Sequence, residues 1–306
     1  MSADLQQGDA GTPSARYQSI FLEDGWAHQK YYGWRQIVSE PGLRVLTRAR
    51  GPLRRALILA HGLNSDALDA AIRRARVIDA RTDLILHDFD DAGQDMRKVA
   101  GRDWRRATAA ERLLNIATFV IDLARDDDAL LAAMSSDYRR KIRKAREAGV
   151  AITAEESPSA ATIDTFLSRF HDMADERGLA RLDRAAIENM FSRGDLTLFS
   201  ATQGGEVLNM LTAYRAGDKA IFLHGVGGDK RNDGSGQYLH FEVMRQLRAR
   251  GLRWYDLGGL ASTDEANGIF RFKKGFGGEL VRLGCEYVSR PPLVRAVAGL
   301  RARLRG

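Results

Sequence analysis

At 306 residues, 44% hydrophobic and 28% charged with a net charge of +7, the chain has an ordinary globular composition and length for about two domains. Its single cysteine, Cys285, excludes an internal disulfide and leaves too few thiolates for a structural zinc site. No run approaches the ~20 apolar residues that span a bilayer, so a membrane-spanning role is excluded and a cytoplasmic location is expected.

Residues 1–16, MSADLQQGDAGTPSAR, lack the basic start and apolar run of a secretory signal and read as a disordered tail. Residues 43–50 and 55–60 are β-rich runs separated by Gly51-Pro52, a hairpin pattern. Leu68, Ile72 and Ala75 recur at helical spacing across 64–77, and TDLILHDF at 82–89 reads as a buried strand. These elements make a first unit over 17–125. A strand and one long helix ending at Gly149 follow, giving a basic connecting helix over 126–150.

The stripe Ile163, Phe166, Leu167, Phe170 and Met173 predicts a helix packed on a core, and Asp183 suits the cap of a shorter one. Three successive strands, 196–201, 207–214 and 219–225, are separated by turns at 203–205 and Gly217-Asp218. A helix over 235–250 and a strand over 253–257 complete a second unit, 151–290. The second half repeats the element order of the first. The expected class is therefore α/β, with two duplicated units of mixed, mostly antiparallel sheet and packed helices.

The positive charge lies in two patches. One is Arg139, Arg140, Lys141, Arg143, Lys144 and Arg146, with Tyr138, Ile142, Ala145 and Gly149 along the opposite stripe. The other is the set of arginines at 290, 295, 301, 303 and 305. In the basic amphipathic tail, 291–306, Leu293, Val297, Leu300 and Leu304 share a face, which suits docking on the protein's own core or lying on an anionic membrane. The six histidines show no ligand spacing, so no metal is implied. His61-Gly62 follows a strand without the G-x-S-x-G of a serine hydrolase. Trp26, Trp34 and Trp104 are candidates for core or for a groove between the halves.

In the loop GGDKRNDGSGQ, Arg231, Gly234 and Gly236 give R-x-x-G-x-G between a strand and a helix. Glycines let backbone approach an anion, and the free N–H groups of a helix's first turn point at it. Strand, loop, helix and Arg250-Gly251-Leu252 resemble the acyl-CoA-binding core of the GNAT acyltransferase fold. A wider resemblance is carried by MSSDYRRKIRKAREAGV from Met134, SGQYLHFEVM from Ser235, WYDLGG from Trp254 and FRFKKGFGGE from Phe270. In that order, over roughly 121–288, the chain resembles the FemAB family of peptidoglycan interpeptide-bridge aminoacyltransferases.

That resemblance implies two GNAT-like units and transfer of an amino acid from aminoacyl-tRNA to an amine of a peptidoglycan precursor, nucleotide- or lipid-linked, without a further cofactor. A lipid-linked acceptor would place the protein at the inner face of the membrane. The long helical-hairpin arm of the FemA and FemB branch is missing. Arg139, Arg140, Arg143 and Lys144 become candidate contacts to tRNA phosphates, which position without reading sequence. The alternatives are an acyl-CoA-dependent GNAT N-acyltransferase, acting on a small molecule or a cell-envelope amine through Arg231, Gly234 and Gly236, and a non-catalytic tRNA- or membrane-binding module.

Lys273 stands in the position of the family's F-K motif. An amine attacking an ester passes through a tetrahedral oxyanion, which a fixed cation in a water-poor site stabilises. Lys273 would supply that cation, and Phe272 and Phe276 the dry wall. Read as a strand, the segment puts Phe272 and Lys274 on one face and Lys273 on the other. Asp256 is the candidate carboxylate for holding or deprotonating the incoming amine, or else the brace of the Gly258-Gly259 turn.

Overall fold

The computed structural model describes residues 17–23, 34–51, 53–90, 96, 99–227 and 233–296. Expectations for the tail at 1–16, Trp26, Arg231 and the stretch 297–306 lie outside those residues. The chain divides into two compact units, Phe21–Ala117 with Arg282–Gly306, and Thr118–Val281 with Met1–Ile20.

The first unit opens with β1 (Arg35–Glu40), β2 (Leu43–Arg50) and β3 (Leu53–Ala60), joined antiparallel in sequence. Helix α1 (Ser65–Arg74) carries the chain to β4 (Thr82–Asp88), which lies parallel to β3. Asn64 caps α1 by accepting from the Ala67 N–H, and Leu68, Ala71 and Ile72 bury among Val45, Ile58, Leu84 and Leu86. The short β5 (Arg105–Arg106) and the last strand, β13 (Cys285–Ser289), complete a sheet of order β1-β2-β3-β4-β13-β5. Trp34 and Trp104 pack against the apolar clusters of this unit. Arg290, counted above with the basic tail, instead sits between Asp83 and Glu111, which also pair with Arg55 and Arg105.

The second unit holds a seven-stranded sheet of order β12-β6-β11-β10-β9-β8-β7. Its strands are β6 (Ala117–Asp122), β7 (Ala151–Glu155), β8 (Leu196–Gln203), β9 (Glu206–Ala216), β10 (Lys219–Gly227), β11 (Trp254–Leu260) and β12 (Glu279–Arg282). Its helices are α2 (Asp127–Ala133), α3 (Ser136–Glu147), α4 (Ala160–Arg177), α5 (Arg184–Ser192), α6 (Ser235–Ala249) and α7 (Gly268–Lys274). The order β8, β9, β10, α6, β11 repeats β1, β2, β3, α1, β4, including the parallel pairing of the last two strands. The duplication expected from element order is present as topology.

Two details differ from the sequence reading. The long helix expected before Gly149 is two helices, because Met134 turns extended and the Ser135 hydroxyl accepts from the Tyr138 N–H to start α3 anew. The basic helix α3, expected over 126–150 as a connector, packs against α6 inside the second unit. Asp183 caps α5 as expected, and Gly178 ends α4 in a left-handed conformation.

Candidate functional site

The parallel joint of the second unit is short. β10 and β11 hold register through Lys219↔Trp254, Ala220↔Tyr255 and Ile221↔Asp256, and no further. Just beyond, β10 carries a bulge between Phe222 and His224 against β9. A bulge re-aims neighbouring side chains, and here the Phe222 ring meets His240 of α6 while the His224 ring meets Phe170 of α4. Gly258 of β11 has φ +78°, and a Cβ there would lie 2.8 Å from the Phe222 carbonyl oxygen. Only glycine fits that backbone.

Lys273 occupies this interrupted joint. Its ammonium donates to the Gly258 carbonyl at 2.7 Å and the Gly259 carbonyl at 3.0 Å. An ammonium has three N–H groups, and the two carbonyls take two of them. The residue is 7% exposed. Burial lowers its pKa to about 8, and the nearby Asp256 carboxylate opposes that shift. The group is thus a partly desolvated cation just below its own titration point.

Asp256, at the end of the register, is buried and fully engaged. Tyr17 donates to its Oδ2 at 2.5 Å, the Gly258 N–H donates to Oδ1 at 2.7 Å, and the Thr118 hydroxyl donates to the same oxygen. Burial raises its pKa, while these donors and Lys273 pull the other way. Of the two roles weighed for Asp256, this geometry suits the brace: the carboxylate fixes the Gly258 turn on which Lys273 rests.

Residues 268–274 are helical, which replaces the strand alternation expected for FRFKK. Asn267 starts α7 by accepting from the Ile269 and Phe270 N–H groups. At helical spacing Phe270 and Lys273 share the inner side and are both buried, whereas Lys274 is exposed and paired with Glu265. The glycines after α7 serve close approach. A Cβ on Gly275 would lie 2.5 Å from the Tyr138 ring, and one on Gly277 would lie 2.1 Å from the Ala133 carbonyl oxygen.

Around Lys273 the wall is aromatic. Phe276 is fully buried and Phe272 half-buried, their ring centroids 5.2 Å apart. Tyr138 of α3 packs edge-on against Phe276 and donates its hydroxyl to the Phe272 carbonyl at 2.9 Å. His240 lies among Phe222, Phe272 and Phe276, with Nδ1 2.9 Å from the Tyr255 hydroxyl. Burial, seconded by the Lys273 charge, depresses its pKa to about 3, so it is neutral. Tyr17, Thr118, Tyr138 and His240 were not singled out from sequence for this site. His240 lies inside the SGQYLHFEVM block, whereas Tyr17 and Thr118 carry no local signal.

The R-x-x-G-x-G loop is represented by its second half, Arg231 lying outside the described residues. Gly234 precedes α6 with φ +85°, and a Cβ there would lie 2.3 Å from the Lys141 carbonyl oxygen of α3. The Asp233 carboxylate accepts from the Ser235 N–H at 2.8 Å and from its hydroxyl at 2.5 Å. Asn209 donates to the same hydroxyl at 2.5 Å. An internal carboxylate therefore takes part of the place that an anion would fill at this helix start. Gly236 faces Asn209.

The cations of α3 are largely paired within the fold. Asp137 takes Arg140 and Lys141, Glu147 faces Arg143, and Glu242 faces Arg146. Arg139 donates to the Ala132 and Met134 carbonyls at the end of α2. Lys144 is exposed. The repulsion expected among these cations is thus relieved internally, and the exposed pairs are weak enough for a phosphate to displace.

Residues 132–274 match the family described as an acetyltransferase (GNAT) domain. Among solved structures, the chain is similar to FemX, with a TM-score of 0.69 at 16% identity over 95% of each chain. It is also similar to the C-terminal domain of a putative lysylphosphatidylglycerol synthetase from Agrobacterium fabrum, with a TM-score of 0.56 at 13% identity over 89% of this chain and 88% of that one. The L-PGS structure from Bacillus licheniformis gives 0.54 at 13% identity over 87% of each chain. No curated protein matches the sequence significantly. The fold is thus α/β with two GNAT-like units.

Proposed function

We propose that the protein is an acyltransferase that moves an amino acid from aminoacyl-tRNA to an amine of a peptidoglycan precursor. The observation that carries this reading is the buried ammonium of Lys273 on the Gly258 and Gly259 carbonyls, at the point where β10 and β11 cease to pair. In the reaction, the acceptor nitrogen adds to the ester carbonyl and its oxygen takes the negative charge. Lys273 meets that charge with its remaining N–H. Collapse breaks the bond to the ribose oxygen, which takes the proton lost by the attacking amine. The aromatic wall of Phe222, Phe272, Phe276 and Tyr138 excludes water, which strengthens the Lys273 interaction and protects the ester from hydrolysis.

The choice of donor rests on the start of α6. Pyrophosphate recognition by a GNAT-type loop needs open N–H groups in the first helical turn. In this chain Asp233 takes the first of them and adds a negative charge there, while the α3 backbone closes against Gly234. That arrangement favours aminoacyl-tRNA over acyl-CoA. The lysyl group in the name of the synthetase from Agrobacterium fabrum fits an aminoacyl donor as well, and the sequence blocks resembling the FemAB family supply the precursor amine as acceptor. Exposed cations of α3, Arg140, Arg143 and Lys144, are available to the tRNA backbone.

The test is to incubate purified protein with a mixture of charged tRNAs and follow each ester. Loss of one ester only when a precursor amine is supplied supports the reading. Tight acetyl-CoA binding by calorimetry, with acetyl transfer to the amine and no ester loss, would replace it with the acyl-CoA alternative.

A further inference from the structure

The brace beneath Lys273 starts in the short segment ahead of the first unit. Residues 17–20 group with the second unit, and Tyr17, Ser19 and Ile20 are buried. Tyr17 stands edge-on to Trp254 with ring centroids 6.0 Å apart. Strand alternation puts Trp254 and Asp256 on one face of β11, so a ring held at the first delivers its hydroxyl to the second. Thr118 reaches the same carboxylate from β6, the strand beside β11.

Among the described residues of the second unit, Asp256 is the only buried carboxylate. Three donors reach its two oxygens, the Tyr17 and Thr118 hydroxyls and the Gly258 N–H. Hydrogen bonds to the charged form favour it and so oppose the effect of burial. A proton added to Oδ1 would meet the Gly258 N–H, which cannot turn to accept it. The Thr118 hydroxyl also lies 2.9 Å from the Gly258 carbonyl, one of the two on which Lys273 rests. It has a single proton to give. While Asp256 is ionised, that proton goes to the charged, stronger acceptor and the Gly258 carbonyl is left to the ammonium. Carboxylate and ammonium are thus joined through one hydroxyl and one carbonyl, and the Asp256 charge opposes the desolvation of Lys273.

We infer that Tyr17 and Thr118 are positioning residues that keep Asp256 ionised and, through it, keep the Lys273 ammonium charged. The other titratable groups around this pair stay neutral near neutral pH. Burial puts His240 of α6 at about 3, pushes Tyr138 of α3 up to about 12, and raises Tyr255 of β11 well above its ordinary value. Lys219, opposite Trp254 on β10, is paired with Asp218, and Lys274 of α7 with Glu265. Asp256 is therefore the charge that sets the state of Lys273. The consequence for rate rests on the reading of Lys273 as the oxyanion's partner; the consequence for the lysine's own titration does not.

The experiment is an NMR titration of the full chain carrying isotopically labelled lysine, read at Cε, beside the pH profile of single-turnover transfer. The Lys273 signal is assigned by its loss in Lys273→Arg, and in the wild type its midpoint is expected near 8. Tyr17→Phe keeps the ring against Trp254, and Thr118→Val keeps the β-branched shape in β6. Each removes one donor, which lets Asp256 take a proton more readily, and should move the Lys273 midpoint to lower pH by about half a pH unit. At a fixed pH above the midpoint, transfer then slows about threefold. Asp256→Asn should move the midpoint further in the same direction. A purely structural role would lower the melting temperature and leave the midpoint in place. Midpoints unmoved in both hydroxyl variants, or moved to higher pH, overturn the inference. Midpoints that move while the rate profile stays fixed uphold it and overturn Lys273 as the reacting cation instead.

Discussion

The two sheets share an element order and differ at one joint. In the first unit β3 and β4 stay paired from Arg54↔Thr82 to Ala60↔Asp88, and every residue of β4 is buried. In the second unit β10 and β11 part after Ile221↔Asp256, and the carbonyls of Gly258 and Gly259 find their partner in an ammonium. A fully paired joint has satisfied its polar groups and offers nothing to a reacting ligand. An interrupted one must recruit side chains, and the recruited side chain here has the charge that acyl transfer needs. The same topology is thus a core in one unit and a candidate reaction centre in the other.

That contrast breaks most directly by substitution on each side of it. Lys273→Ala is expected to slow single-turnover transfer by about 10² to 10³ with the unfolding transition retained. Leu84→Ala, in the closed joint, should cost roughly 2–5 kcal/mol of stability and leave the rate per folded molecule unchanged. Denaturant titration beside a transfer assay reads both, and a slowed reaction in Leu84→Ala would erase the distinction.

Smaller changes sharpen it. Gly258→Ala puts a side chain at φ +78° beside the Phe222 carbonyl, and should destabilise by about 1–3 kcal/mol while moving the carbonyls that hold Lys273. Thermal melts and transfer rates should fall together. Tyr138→Phe removes the hydroxyl donated to Phe272, a loss of about 1 kcal/mol in stability. Least of all, Arg143→Gln with Lys144→Gln should leave turnover at saturating tRNA intact and flatten the salt dependence of tRNA binding by about one phosphate contact each. An unchanged slope would remove α3 from the tRNA-binding surface.

Much of this fold is legible in the sequence because its strands and helices keep simple periods. The alternation and turn glycines of 196–225 yield β8, β9 and β10, and the stripes of α1, α4 and α6 emerge at helical spacing. β1 was not read, since RQIVSE is a half-exposed edge strand without clear alternation. For α7 the strand period misleads, because the seven residues Gly268–Lys274 are too few to separate 2.0 from 3.6. The site was legible only in part. Lys273, Phe272 and Phe276 stand within one contiguous motif, but Tyr138 and Phe222 of the wall lie elsewhere in the chain, and the donors that fix Asp256 come from 239 and 138 positions away. Such partners have no signature along the chain, and their hydrogen bonds to the carboxylate favour the support among the two roles read for it.

The most direct test of the central claim is the pH dependence of single-turnover transfer, corrected for spontaneous ester hydrolysis, with an acceptor amine neutral across the range. Because burial holds the Lys273 pKa at about 8, the cation is present below that pH and lost above it. The wild-type rate should therefore fall as pH rises through about 8, and Lys273→Arg, whose guanidinium stays charged, should lack that fall. A rate that keeps rising through pH 8 in the wild type, or an identical decline in both proteins, would contradict the assignment of Lys273 as the oxyanion's partner.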